Sequence, residues 1–231
     1  MSSCAVSQDD SPIEQASFFL DFGLFGDDRI KIDSTFILSL KDENIILFYK
    51  KNNFKTAWKI EENRTAFLNE IKLCENEGLE SNNYGLAELN KYETNYASLS
   101  DSTLIIYDIE LTKNAQKYLN HISKGKLQPS EVYHDWSLPT KEFDCTTTLI
   151  NSLANNNLNT TFKTLKPQHI IYQKLKNALA ILQKYPNDDH IELVETKGKI
   201  IFNKKNKAVY AIKKRLMFWK DLKFKDTINS V

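Results

Sequence analysis

Apolar residues recur at helical spacing through most of this chain and seldom alternate. Phe67, Ile71, Cys74 and Gly78 fall at i, i+4, i+7 and i+11, which predicts an amphipathic helix with Gly78 just past its end. Leu86, Leu89, Tyr92, Tyr96 and Leu99 mark a second helical stretch over 84–99. A long helix is predicted from Ser102 through 104–122, with Leu111, Ala115, Tyr118, Leu119 and Ile122 on one face and Lys124-Gly125 as its stop. Shorter helices are predicted over 43–51, 146–154 and 158–165, the last two split by Asn155-Asn156-Asn157. Lys166-Pro167 opens another, with Ile171, Leu175, Ala178, Leu179 and Leu182 on one face. The segment 205–219 reads as a basic amphipathic helix with Val209, Ile212, Leu216 and Trp219 inward. Ser11-Pro12 starts a short helix near the N-terminus, ended by Gly23 and Gly26, and 131–141 reads as a loop with Tyr133, His134, Trp136 and Pro139. Weak alternation over 35–40, and two apolar pieces at 191–194 and 200–202 around Lys197-Gly198, predict short strands.

The expected fold is therefore mainly α, a compact scaffold of about seven helices with a few short peripheral β-strands. Its expected organisation is a tail and short helix over 1–34, a helical domain over 35–190, and a short hairpin with a basic helix over 191–231.

Composition supports this reading. The 231 residues are 41% hydrophobic and 26% charged, with 6 Gly and 5 Pro, too few for an all-β chain built on tight turns. No run approaches the ~18 apolar residues that a membrane-crossing helix needs. The net charge of +1 hides an asymmetry: residues 197–225 hold 11 basic residues against Asp221 alone, so this segment carries +10 and the rest −9. Such a segment is usually a solvated helix face, and otherwise the grip for an acidic partner or polymer. Nucleic acid is not expected as a partner. The segment has one arginine, Arg215, and Trp219 continues the apolar stripe beside Tyr210 and Phe218.

Candidate chemistry is sparse. Cys4, Cys74 and Cys145 are far apart and in no CxxC spacing, and Cys74 falls on an apolar helical stripe as a core residue would. His121, His134, His169 and His190 are isolated from one another and from the cysteines, which predicts no metal site, and His121 is placed to complement a helix C-terminus. There is no phosphate-binding glycine loop and no nucleophile elbow, and the acid pairs Asp42-Glu43, Glu61-Glu62 and Asp188-Asp189 sit in loop-like places. No catalytic, cofactor-binding or metal-ligating residue is expected, and no cofactor. Met1-Ser2-Ser3-Cys4 followed by a polar stretch reads like the end of a lipoprotein signal, with Cys4 as the residue to be lipidated, or else as an ordinary frayed terminus.

Several blocks, taken in order over 45–222, resemble the N-terminal scaffold domain of the large L,D-transpeptidases, the peptidoglycan cross-linking enzymes. Phe48-Tyr49 followed by Trp58 is similar to the family's opening block. Gly78-Leu79 with Tyr84 resembles its next turn. Leu111-Thr112, Gly125, Pro129 and Trp136 resemble its central block, and Pro167 with Tyr172 a later one. No block is specific alone; their order carries the resemblance. These residues also have structural reasons to exist, since Gly78 and Gly125 stop helices and Trp58, Trp136 and Tyr172 are large packing pieces.

The resemblance implies a helical platform that positions a catalytic domain in the cell envelope or periplasm. Its implied partners are peptidoglycan, the enzyme's own catalytic domain and other cell-wall synthesis proteins, with contact to the membrane only through a lipid anchor on Cys4. The family's reaction uses a Ser-His-Gly-Cys-x-Arg signature whose Cys thiolate forms an acyl-enzyme. No such string occurs in this sequence. The chain is thus expected to be non-catalytic as it stands, the front part of a larger enzyme or a stand-alone remnant. The reading from a different class is a free-standing helical interaction protein that binds an acidic partner through its basic C-terminal helix.

Overall fold

A computed structural model of the chain describes residues 29–127, 142–185, 193–195 and 198–223. Among them nine α-helices run in the order α1 Ser34–Ser39, α2 Glu43–Lys51, α3 Glu61–Lys72, α4 Leu86–Thr94, α5 Asp101–Lys124, α6 Cys145–Ala154, α7 Leu158–Leu165, α8 Ile170–Leu182 and α9 Lys207–Phe218. Three 3₁₀ turns, Cys74–Glu77, Ser81–Tyr84 and Tyr96–Ser98, connect α3, α4 and α5. The fold is mainly helical. The chain divides into two compact units, 1–172 and 173–231, with the boundary inside α8.

In the first unit, α5 is the central element. It is 24 residues long, begins one residue before the expected start at Ser102, and is capped by Ser100, whose side chain accepts from the Thr103 N–H. The helices α2, α3, α4, α6 and α7 all pack against it. Its predicted stripe of Leu111, Ala115, Tyr118, Leu119 and Ile122 is buried. Aromatic rings continue the core across helices: Phe67 of α3 lies 5.7 Å from Trp58 and 6.2 Å from Phe162 of α7. Tyr118 meets Phe162 at 5.6 Å and Tyr84 at 5.1 Å, both edge to face.

The expected strand over 35–40 is helix α1. The Asp33 carboxylate accepts from the Thr35 N–H and hydroxyl and so nucleates a helical turn, while Ile37 alone of that helix reaches the core. Weak alternation could not outweigh a cap. The described residues of the two expected strands, 193–194 and 200–202, form no strand, and Ile191 and Glu192 lie outside the described residues. Among the described residues the one β-bridge is elsewhere, between Lys31 and Lys55, where the Ile32 N–H donates to the Phe54 carbonyl at 2.7 Å.

The predicted helix through Cys74 is broken in two. The α-helix α3 stops at Lys72 and a 3₁₀ turn carries Cys74 into the core, with Gly78 closing that turn at φ +74°. A Cβ on Gly78 would meet nothing within 4 Å, so the position requires glycine for its backbone alone. Gly78→Ala is expected to cost ~1–2 kcal/mol and Gly78→Asn less, read as shifts in the urea midpoint.

In the second unit the prediction of an inward stripe on α9 does not hold. Val209, Ile212 and Trp219 are half-buried, Leu216 is exposed, and Ala208 is the buried residue of that helix. Trp219 lies against Tyr185 and Phe218, outside the main core. The α8 stripe, from Ile171 to Leu182, likewise includes no buried residue. Periodicity reports that a helix has an apolar face; it does not report what covers that face.

Candidate functional site

Motif residues far apart in sequence converge on one buried carboxylate, Asp108 of α5, which is 4% exposed. Its carboxylate accepts from the Tyr49 hydroxyl of α2 at 2.6 Å and from the Ala57 and Trp58 N–H groups, both at 2.8 Å. One turn along α5, the Thr112 hydroxyl accepts from the Trp58 indole N–H at 2.9 Å and donates to the Asp108 carbonyl at 2.9 Å. The blocks around Tyr49, Trp58 and Thr112 are therefore one hydrogen-bonded node. Burial pushes the Asp108 carboxyl up to about 6, outweighing the opposing effect of its three donors and of Arg29. The Tyr49 hydroxyl is pushed well above its ordinary range by burial and by the Asp108 charge. A cavity of about 340 Å³ borders this node, lined by Trp58, Tyr107, Asp108 and Leu111 among others.

Next to it, Arg64 of α3 ties three elements together. Its Nε pairs with Glu93 of α4 at 2.9 Å, its Nη1 donates to the carbonyls of Trp58 and Lys59, and its guanidinium lies 3.6 Å from the centre of the Tyr96 ring. Tyr107 of α5 completes the group by donating to Glu93 at 2.7 Å.

A second polar node closes the other end of α5. Lys166 pairs with Glu70 at 2.6 Å and Glu77 at 3.2 Å. Tyr118 donates to Glu70 and Tyr172 to Glu77, each at 2.5 Å. Burial alone would lower the pKa of the Lys166 ammonium, but its bonds to Glu70 and Glu77 hold it above its usual value. Beside this node is a cavity of about 570 Å³. Five motif residues line it: Gly78, Leu79, Gly125, Pro167 and Tyr172, with His121, Lys124 and Lys126 at its α5 side.

The expected residues are thus distributed between two places. Phe48, Tyr49, Trp58, Tyr84, Leu111 and Thr112 are buried, and Phe48 meets Tyr49 edge to face at 5.2 Å. Gly78, Leu79, Gly125, Pro167 and Tyr172 gather at the larger cavity. Pro129, Trp136 and the lipidation candidate Cys4 lie outside the described residues. Tyr84 hydrogen-bonds His121 Nδ1 at 2.8 Å. His121 stands in the last turn of α5, the helix-end position expected for it, and burial, then Lys117 and Lys126, lowers the pKa of its imidazole.

The sequence pattern assigns no role to Asp108, Arg64, Glu70 or Glu77, and Lys166 enters it only with Pro167 as a helix start. One signal was available: Asp108 and Thr112 stand four residues apart within an apolar stripe, where a polar pair needs partners.

The chemistry of the described thiols is inert. Burial pushes the Cys74 thiol up to about 11, with Glu75 and Glu70 adding to it, and pushes the Cys145 thiol up to about 12. Cys145 donates to the Gln116 carbonyl at 3.3 Å. Neither is a thiolate near neutral pH. Among the described residues no group of three or more His, Cys, Asp or Glu side chains is placed to hold a metal ion. No described helix is long and apolar enough to cross a membrane.

A protein-family model described as "Scaffold domain" matches residues 43–179, more than half of the chain. No curated protein and no solved structure matches it.

Proposed function

Because this chain belongs to the Scaffold domain family, we propose that it is the non-catalytic scaffold portion of an L,D-transpeptidase system in peptidoglycan cross-linking. It acts as a rigid platform that positions a Ser-His-Gly-Cys catalytic domain on its substrate. The observation that carries this reading is the family match over 43–179, within which nine motif residues sit at two polar nodes along α5 and their cavities. A platform has to hold its geometry under load, and buried, fully hydrogen-bonded nodes that join α2, α3 and α5 do that. The inert thiols of Cys74 and Cys145 fit a supporting part better than an acyl-transfer centre. An envelope location, with Cys4 as a candidate lipid attachment, belongs to the same reading.

The test is direct. The purified chain is titrated calorimetrically against an L,D-transpeptidase catalytic domain from the same organism, and cross-linking of diaminopimelate tetrapeptides is followed with and without it. Saturable binding at one site together with faster cross-linking is the expected result. No heat of binding and an unchanged rate would overturn the proposal, as would cross-linking by the chain alone.

A further inference from the structure

The unit of residues 173–231 combines two features that rarely occur together without a purpose. It carries 14 basic residues against six acidic ones, whereas residues 1–172 carry 17 against 24. It also leaves large apolar side chains in water: Leu182 is 64% exposed and Phe202 89%, with Leu175 and Ile181 in the same condition. None of the unit's residues belongs to the main buried core.

The positive and apolar groups are interleaved at the scale of single side chains. On α9, Lys207, Tyr210 and Lys214 are exposed at i, i+3 and i+7, so the ring lies between two ammonium groups on one face. Beyond the helix, Met217 and Leu222 share a hollow of about 440 Å³ with Lys220 and Lys223. The turn that builds this hollow is a Schellman ending, in which the Lys220 N–H bonds the Met217 carbonyl at 3.0 Å and the Asp221 N–H bonds the Leu216 carbonyl at 2.9 Å. Lys220 occupies its left-handed position at φ 64°, where glycine is the usual residue. The chain thus bears a strained lysine at the rim of an apolar hollow.

We propose that this unit is a docking surface for an anionic phospholipid bilayer. Its lysines meet the headgroups, while Tyr210, Phe202 and the hollow of Met217 and Leu222 receive the acyl boundary. Charge complementarity selects an anionic surface, and the exposed aliphatic and aromatic groups select one with an apolar layer behind the charge. A soluble polyanion satisfies the first requirement only. The proposal does not depend on the L,D-transpeptidase reading, and it adds a membrane contact made by the polypeptide itself.

The full chain is tested by flotation with vesicles of phosphatidylcholine plus phosphatidylglycerol and with vesicles of phosphatidylcholine alone. Binding to the first, little to the second, and release by high salt are expected. Lys220→Gly removes one charge at a position that glycine prefers, so the fold is kept; it is expected to weaken binding roughly fivefold. Phe202→Ser, at a fully exposed turn, is expected to weaken it while leaving the circular dichroism spectrum unchanged. Equal binding to both vesicles, binding to neither, or indifference to both substitutions would overturn the proposal. So would self-association in lipid-free light scattering that both substitutions abolish, which would assign the surface to the acidic unit of a second copy.

Discussion

Asp108→Ala is expected to destabilise the folded chain by ~3–6 kcal/mol at pH 7, the largest effect of any single substitution considered for this molecule. Alanine leaves three buried donors, the Tyr49 hydroxyl and the Ala57 and Trp58 N–H groups, without their acceptor. Each buried donor left unpaired costs ~1–3 kcal/mol. Asp108→Asn retains one acceptor oxygen for the two backbone groups and turns an amide toward Tyr49, so its cost is expected to be about half that of alanine. The urea midpoints of the three proteins at pH 7 check the order. A pH series adds a second readout. Because burial raises the Asp108 carboxyl to about 6 in the folded chain, against 3.8 ordinarily, the folded state holds this proton more tightly than the unfolded one. Its contribution is then fully present below about pH 4 and is lost as pH rises through about 6. Wild type is expected to lose up to about 3 kcal/mol relative to Asp108→Asn across that window. A flat difference between pH 4 and 7 would contradict the account.

The second large effect is expected at Lys166. Lys166→Met removes the ammonium that pairs with both Glu70 and Glu77, while the Tyr118 and Tyr172 hydroxyls still donate to these carboxylates. Their side chains are 16% and 6% exposed, so water compensates little. Breaking such a pair from one side is expected to cost ~3 kcal/mol at pH 7. Adding Glu70→Gln and Glu77→Gln to Lys166→Met is expected to recover most of the stability. Failure of this rescue would show that packing of the lysine stem, and not its charge, was what the substitution removed. Tyr118 and Tyr172, which donate to these carboxylates, can still donate to the amide oxygens of glutamine.

These two nodes give the family match a physical content. Residues that look like unrelated punctuation along the chain, a tyrosine, a tryptophan, a threonine, a glycine, a proline, gather at two polar clusters along α5. If the platform reading is correct, both substitutions should depress assisted cross-linking only as far as they depress folding. Lys220→Gly should leave it unchanged.

How much of this was legible in advance varies with the kind of interaction. The burial of Leu111, Ala115, Tyr118 and Leu119 followed from a 3.6-residue period, because a helix places every third and fourth side chain on one face whatever surrounds it. The stop at Gly125 and the turn at Gly78 followed from local backbone preference. The helix in place of a strand at 34–39 was also local, since Asp33 two residues before Thr35 is a capping signal that weak alternation obscured. The Asp108 node was another matter. Tyr49 and Asp108 are 59 residues apart, and a hydrogen bond has no periodicity to announce it.

The sequence by itself thus determined the helical class, most helix positions, the core face of α5 and the charge contrast between the two ends. Those are properties of short stretches, set by side-chain spacing, capping and composition. Only the tertiary structure decided that Asp108 and Lys166 are the joints between blocks, that Cys145 packs against α5 with its thiol on the Gln116 carbonyl, and that the stripes of α8 and α9 include no fully buried residue. Pairing and burial depend on which distant surfaces meet, and that choice belongs to the whole fold.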